Sequence, residues 1–269
     1  MTPTSPHKGD VQPVQPAEIE RLEDELAHVR AEFQEFVHTV SHDLRAPLRH
    51  INAFAQVIAE DLPDAPPDIL GHLATIRQSA QLLAQQLDGL TMLSRLGQQA
   101  VQRQPVNVPA LVHSVADALM QQQLGRQVQW QLVQDMPLLW ADADLLRQLL
   151  THLLDNALKF SRPREVAHIT LTWQAAPDAP GQCQLTLTDN GVGFAPEQAS
   201  KLFKVFARLH PARDFEGLGL GLVASRKIVQ RLGGRLGITA ELGGGCQVTV
   251  KLPTAALSAT IDPDSAPVY

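Results

Sequence analysis

The sequence is short of several things, and each shortage excludes something. Its 269 residues include only two cysteines, Cys183 and Cys246. These are too few for a disulfide scaffold and too far apart in sequence for a metal knuckle. Each lies in an alternating apolar stretch, so both are expected as buried thiols in strands. Positive charge is also scarce: 22 Lys and Arg against 28 Asp and Glu leave a net charge of −6. With no basic block to neutralise phosphates, a nucleic-acid partner is excluded. No apolar run approaches the roughly 18–20 residues that span a bilayer. The opening stretch, MTPTSPHKGDVQPVQPAE, has no apolar core and is not a signal peptide. These absences lead to the expectation of a cytoplasmic protein without membrane insertion. No internal repeat is visible. What the chain does have is 44% hydrophobic residues, enough for a real core, over a length that suits one large or two ordinary domains.

Residues 1–16 are proline-rich and read as a flexible leader. From Ala17 the pattern changes. Ile19, Leu22, Leu26, Val29, Phe33, Phe36 and Val40 alternate three-four, which is a heptad seam. So narrow a stripe must be buried against another helix, and the simplest partner is the same segment of a second chain, making a homodimer. Beyond Val40 the seam continues through Leu44, Leu48, Ile51, Ala55, Ile58 and Leu62 after two successive steps of four, a stutter. On the upstream register His42 faces solvent and Asp43 falls at the core's edge. Pro47 is expected to kink the helix one turn after His42. A turn at 61–68 carries two candidate caps, Asp64 and Asp68. A second heptad helix follows through Ile69, Leu73, Ile76, Ala80, Leu83, Leu87 and Leu90. The pair makes an antiparallel hairpin, and two copies a four-helix bundle.

From about Val106 helices and strands mix. PALVHSVADALMQQ, DADLLRQLLTHLLDNALKF (capped by Asp142), PEQASKLFKVF and LGLVASRKIVQRLGG read as helices. VQWQLV, HITLTW, CQLTLT, RLGITAEL and CQVTVKL read as strands, the last two closing a hairpin across residues 243–245. The fold class is therefore α+β: a helical-hairpin dimerisation domain, then an α/β two-layer sandwich. The expected boundaries are 1–16 leader, 17–104 coiled coil and hairpin, 105–253 sandwich, and 254–269 disordered tail.

Four places have residues suited to chemistry. In SHDLRAPLRHI (41–51) an exposed His42 beside Asp43 could accept a phosphoryl group, since a neutral imidazole is nucleophilic and the carboxylate can hold one ring nitrogen. A solvated surface histidine is the plainer reading, and a metal pair with His38 lacks a third ligand. In LLTHLLDNALKFS (149–161) the leucines form one face, leaving Asn156, Lys159 and Phe160 on or beside the other. Asn156 offers oxygen to a hard cation such as Mg²⁺ and Lys159 a point charge to phosphate, although an ordinary amphipathic helix looks the same. In DNGVGF (189–194) Asp189 ends a strand and can accept from an adenine amino group. Gly191 and Gly193 permit a tight approach to a flat ligand, but Asn-Gly is also a plain turn. In GLGLGLVASRKIV (217–229) Gly217, Gly219 and Gly221 run into a helix and offer free amides to phosphate oxygens. The preceding 207–216 stretch is a candidate lid with Arg208 and Arg213 as phosphate contacts.

Taken in order, the heptad helix, SHDLRAPL, LLDNALKFS, DNGVGF, LFKVF, GLGLGL and GGGCQVTVKLP resemble a bacterial sensor histidine kinase over about residues 20–253. HDLRAPLRHI and LFKVFARLH are most similar to the kinase modules of phytochrome-type sensors. The resemblance implies an ATP-binding fold of the gyrase, histidine-kinase and MutL type, with ATP and Mg²⁺ as cofactors. It implies autophosphorylation of His42 with Asp43 assisting as base, then transfer to an aspartate of a response regulator receiver domain. By resemblance Asn156 holds Mg²⁺, Lys159 contacts phosphate and Asp189 binds adenine. Gly191, Gly193, Gly217, Gly219 and Gly221 form the glycine boxes, and Phe203 and Phe206 the aromatic pair beside the lid.

Three departures stand out. Family members often have a second asparagine one turn before the Mg²⁺ ligand, where this chain has His152, so its metal site is expected to be weaker or differently arranged. Ala46 stands where members that dephosphorylate their partner often have Thr or Asn, so weak phosphatase activity is expected. No sensor sequence is recognisable, so the signal is expected from a separate protein docking on the coiled coil or the catalytic domain. Two rivals remain: a serine kinase or ATPase of the same ATP-binding fold, which would lack the histidine hairpin, and a degenerate dimeric scaffold, which His152 would favour.

Overall fold

The computed structural model describes residues 16–254, apart from 98, 124, 180 and 212. The expected leader and tail therefore lie outside the described residues, except that Pro16 is already helical and Thr254 bridges Leu139. The chain divides after Ser94 into two compact units.

The first unit is a helical hairpin. Helix α1 spans Pro16–Asp61 and α2 spans Pro67–Arg95. The α1 assignment runs unbroken through Pro47, whose missing N–H leaves the Asp43 carbonyl without its helical donor. The turn corrects one expectation. Asp64 precedes the helix by three residues and Asp68 lies inside its first turn, so neither caps α2. Pro67 opens the helix instead, where a residue without an N–H leaves no donor unsatisfied.

Side-chain burial splits the expected seam in two. Ser41, Ala55, Leu73 and Ala80 are buried inside the hairpin, with Leu48 and Leu87 half-buried on the same heptad positions. Leu44, Ile51, Ile58 and Leu62 of α1 and Ile69, Ile76 and Leu83 of α2 all point outward. Each helix thus has an inner and an outer heptad face, which the periodicity of the sequence merges into one. Upstream, Leu22, Leu26, Val29, Phe33 and Phe36 are exposed too.

The second unit is a two-layer sandwich. Its main sheet has the order β2-β4-β5-β7-β6, made of β2 (Gln127–Gln131), β4 (Val166–Ala175), β5 (Gln182–Asp189), β7 (Gly245–Pro253) and β6 (Arg235–Glu241). β2 pairs parallel to β4, and every other pairing is antiparallel. A two-stranded sheet of β1 (Gln104–Val106) and β3 (Leu139–Ala141) has no counterpart among the expected strands. Three residues are too few for a period to show. Helices α3 (Val108–Met120), α4 (Ala143–Phe160) and α5 (Gly221–Arg231) belong to the same unit.

The core explains the layers. Leu149, Leu150, Leu153 and Leu154 of α4 face Leu171, Leu185, Leu187, Val248 and Val250 of the sheet, and all are buried. The alternate strand positions, among them His168, Thr172, Gln174, Thr188 and Gln247, are exposed or only half-buried. A sheet with one wet face alternates in this way. Cys183 is buried as expected, whereas Cys246 is half-buried.

PEQASKLFKVF does not form the expected helix. Only Pro196–Lys201 winds, as a 3₁₀ turn, and Phe206 takes a left-handed φ of 62°. Leu202, Phe203 and Phe206 are half-buried and Val205 exposed. With no apolar stripe buried, so short a segment gains too little to propagate as α-helix.

Candidate functional site

On the hairpin, His42 and Asp43 are adjacent on the outer surface of α1. The His42 Nδ1 lies 3.1 Å from Asp43 Oδ1, and the side chains are 74% and 69% exposed. Asp43 is therefore not at the core's edge; Ser41 takes the buried position, because the hairpin packs on a different register from the upstream seam. Arg45 donates to Asp88 at 2.9 Å and 3.1 Å, tying α1 to α2 one turn from His42. Ala46 is half-buried and offers no polar atom. His38 is exposed, and among the described residues no cluster of three or more His, Cys, Asp or Glu could hold a metal.

In the sandwich, three segments converge on the C-terminal half of α4. Its leucines turn inward and leave Asn156, Lys159 and Phe160 at the rim. Lys159 Nζ donates to Asn156 Oδ1 at 3.0 Å and stands 4.7 Å from the Phe160 ring centroid. Burial holds the Lys159 pKa below its ordinary value. Asp189 is the last residue of β5 and is buried. Burial pushes its carboxyl up to about 6, against the pull of the Gly191 N–H that donates to Oδ1 at 2.8 Å.

The loop after Asp189 is packed so closely that side chains do not fit. A Cβ on Gly191 would stand 2.7 Å from both Asp189 Oδ1 and the Phe160 carbonyl. One on Gly193, at φ 57°, would stand 1.9 Å from the Glu241 carbonyl. Val192 donates to the Phe160 carbonyl at 3.1 Å and accepts from Gly243 N–H at 2.7 Å. Arg164 donates to the carbonyls of Asn190, Gly191 and Gly243. Across the ladder Cys246 pairs with Asp189, and burial with that carboxylate nearby pushes its thiol up to about 12.

The third segment is the glycine run. Gly217 lies against Lys159, where an added Cβ would be 3.5 Å from Nζ. Gly219, at φ 73°, allows no Cβ because one would stand 2.4 Å from the Ala207 carbonyl. Gly221 opens α5, facing Asn156 and His152. Asn107 caps α3 and Asp142 caps α4 through side-chain oxygens, but Leu220 gives α5 no side-chain cap. The first intrahelical bond of α5 is Ala224 N–H to the Leu220 carbonyl, so the amides of residues 221–223 precede it. Free amides at a helix start suit phosphate oxygens.

The 207–216 segment leans on this group. The Phe160, His210 and Phe215 rings cluster with centroids 5.1–5.5 Å apart, and His210 Nε2 lies 3.1 Å from the Gly193 carbonyl. Arg208 donates to the Phe215 carbonyl. Arg162 and Glu216 form a two-bond ion pair that pulls the Glu216 carboxyl down to about 2. Arg213 is not drawn in; it is exposed and pairs with Asp214 at 3.5 Å. Phe203 stacks under Arg226 instead. His210, Arg162, Glu216 and Arg164 are absent from the sequence-based expectations, because each acts through a contact at least 17 residues away, which no local pattern announces.

A buried carboxylate, a lysine–asparagine pair, two glycine loops and an open helix start on a two-layer sandwich define a nucleotide-binding fold of the ATPase kind. Residues 141–256 match the family of histidine kinase-, DNA gyrase B- and HSP90-like ATPases, and residues 34–99 match the His Kinase A (phospho-acceptor) domain. The chain carries the core of a sensor histidine kinase. The methanogenesis regulatory histidine kinase FilI of Methanothrix harundinacea is 32% identical over 88% of this chain and 26% of its own length. Cyanobacterial phytochrome B of Nostoc is 28% identical over 85% of this chain and 30% of its own. Sensor protein SrrB of Staphylococcus aureus is 27% identical over 82% and 38%. The chain thus spans a quarter to two-fifths of the length of these relatives. Among solved structures, full-length ShkA in complex with AMPPNP superposes with a TM-score of 0.58 at 26% identity, covering 82% of this chain and 46% of that one. Among the described residues no helix is long and apolar enough to cross a membrane.

Proposed function

We propose that the chain is an ATP-dependent protein-histidine kinase that phosphorylates His42 and passes the phosphoryl group to an aspartate of a response regulator. The observation that carries this reading is the exposed His42 whose Nδ1 meets Asp43 at 3.1 Å. With Nδ1–H donating to the carboxylate, the Nε2 lone pair is free to attack. The new bond forms from Nε2 to the γ-phosphorus, the bond to the bridging oxygen breaks, ADP leaves, and Asp43 takes up the Nδ1 proton. Asp189 accepts from the adenine amino group, and Gly191 and Gly193 admit the base. Lys159, Arg208 and the open start of α5 behind Gly217, Gly219 and Gly221 receive the phosphates. Mg²⁺, when bound, neutralises phosphate charge. Asn156 would hold it, and one side-chain oxygen is enough where phosphates and waters complete the shell.

The outer faces of α1 and α2 are read as the contact with a second copy, completing a four-helix bundle. The exposed Leu22–Phe36 stripe is where a separate input protein would act on α1. Ala46 cannot orient a water, so phosphatase activity toward the regulator is weak, and a rapid decay of purified phospho-regulator on adding the protein would contradict that. The main test is incubation with Mg²⁺ and ATP labelled in its γ-phosphate, beside His42→Gln. Acid-labile, base-stable label on the wild type alone is the expected result. Nucleotide binding with no label on either would point to the scaffold reading.

A further inference from the structure

Arg164 lies outside all four chemistry-bearing stretches of the sequence, in the turn between α4 and β4, and is half-buried. Its backbone N–H donates to the Ser161 carbonyl at 3.0 Å, anchoring the residue to the end of α4. Its guanidinium meets three carbonyls from two separate segments. Nε donates to Asn190 at 2.7 Å, and Nη2 donates to Gly191 at 2.9 Å and to Gly243 at 2.5 Å. Asn190 and Gly191 follow Asp189 directly, whereas Gly243 lies in the turn between β6 and β7. The two segments touch backbone to backbone. A Cβ on Gly193 would stand 2.7 Å from the Gly245 carbonyl, and one on Gly245 would stand 2.0 Å from the Asp189 carbonyl. No side chain fits between them, so a clamp has to reach in from outside, and Arg164 does so. The planar guanidinium presents its N–H donors in a fixed fork, a geometry that an ammonium cannot copy.

The clamp bears on the Asp189 carboxylate. Gly191 receives Arg164 on its carbonyl and donates its own N–H to Asp189 Oδ1 at 2.8 Å. The position of Gly191 thus sets the orientation of the carboxylate. Asn190 is tied to β4 independently: its Oδ1 accepts from the His168 N–H at 3.0 Å, and its Nδ2 donates to the Val166 carbonyl at 3.0 Å. Removing the guanidinium takes a charged donor from three carbonyls at once and leaves Gly191 without its outer hold.

We propose that Arg164 is a positioning residue for base recognition: by clamping the Asp189 loop to the β6–β7 turn, it holds the carboxylate where the adenine amino group meets it. The inference rests on the kinase reading, which places adenine at Asp189. Its consequence is selective. Adenine offers a 6-amino group to the carboxylate, whereas hypoxanthine has a 6-oxo group there and offers nothing. Losing the clamp therefore weakens adenine nucleotides and spares inosine nucleotides. A residue that only stabilised the fold would weaken both alike.

The test uses the whole chain, wild type and Arg164→Ala, with Mg²⁺ and either ADP or IDP in calorimetry. Neither diphosphate has a γ-phosphoryl group to pass to His42, so affinity is read alone. The wild type is expected to prefer ADP. Arg164→Ala is expected to bind ADP roughly tenfold more weakly and IDP nearly unchanged, so that the preference collapses. A preference that Arg164→Ala keeps in full overturns the proposal and leaves the kinase reading intact. A wild type that binds both nucleotides equally, or neither, overturns the adenine reading of Asp189 as well. Should circular dichroism show Arg164→Ala to fold poorly, Arg164→Lys keeps the charge and loses the fork. It is expected to lose part of the same preference, and an undiminished preference overturns the proposal equally.

Discussion

The two units solve the problem of burying apolar surface in opposite ways. The sandwich is self-contained: Leu146, Leu149, Leu154, Leu158, Ile169 and Ile228 are essentially inaccessible within one chain. The hairpin buries mostly small residues, Ser41, Ala55 and Ala80, and turns its large ones outward at Ile51, Ile58, Ile76 and Leu83. Two helices alone cannot enclose a core, because each has only one flank to offer the other. The difference teaches where each unit can be controlled. The sandwich completes its core within one chain, whereas the hairpin that carries His42 leaves large apolar residues uncovered. A second copy and an input protein acting on the Leu22–Phe36 stripe would share that uncovered surface.

The comparison breaks first at the outer face. Ile51→Glu with Ile76→Glu should cost the hairpin roughly 3 kcal/mol or more per protomer. Sedimentation should then show a monomer, and circular dichroism a loss of helix, with the melting of the sandwich unchanged. A dimer of undiminished helicity would mean that these faces are not the contact. The converse variant, Leu146→Ala, should cost the sandwich about 2–5 kcal/mol in denaturant unfolding and leave the dimer intact.

A smaller effect concerns Asp189 and depends on pH. An ordinary Asp titrates near 3.8 and this one near 6. Between about pH 4 and pH 6 the unfolded chain loses that proton while the folded chain keeps it. Stability therefore falls as pH rises through the window and stays lower above it, by up to about 3 kcal/mol. Asp189→Asn should match the wild type near pH 4 and exceed it at pH 7 in thermal unfolding, while losing nucleotide affinity. A constant difference across that range would assign the effect to another group. The smallest change is Arg45→Ala on the hairpin. Its pair with Asp88 is largely solvated, so breaking it should cost under about 1 kcal/mol by thermal melting. A larger loss would show that this pair helps hold the hairpin together.

Much of the site is legible in the amino-acid sequence. Asp189 closes β5, Gly191 and Gly193 sit where no Cβ fits, and the leucines of 149–158 pack as one face. Strand alternation, helix periodicity and glycine spacing are local signals that survive folding. PEQASKLFKVF misleads because its apolar content resembles a helix, and only the missing core partner reveals otherwise. Asp68 misleads as a cap because Pro67 starts α2 as well as an aspartate cap would. Asp43 falls at a core edge only if the upstream heptad is extended through the stutter, and the hairpin does not keep that register.

The sequence by itself determined the order of the long helices and the main-sheet strands, the positions of the glycine loops and the presence of His42 beside Asp43, since each depends on neighbours within a few residues. Only the tertiary structure decided which heptad face of each helix closes the hairpin. Only it drew His210 to the Gly193 carbonyl and Arg162 to Glu216, and aimed His152 with Asn156 at Gly221. Those contacts join residues separated by 17 to 69 positions. Such contacts are set by how α4, the Asp189 loop and the start of α5 pack together, and no periodicity along the chain encodes that packing.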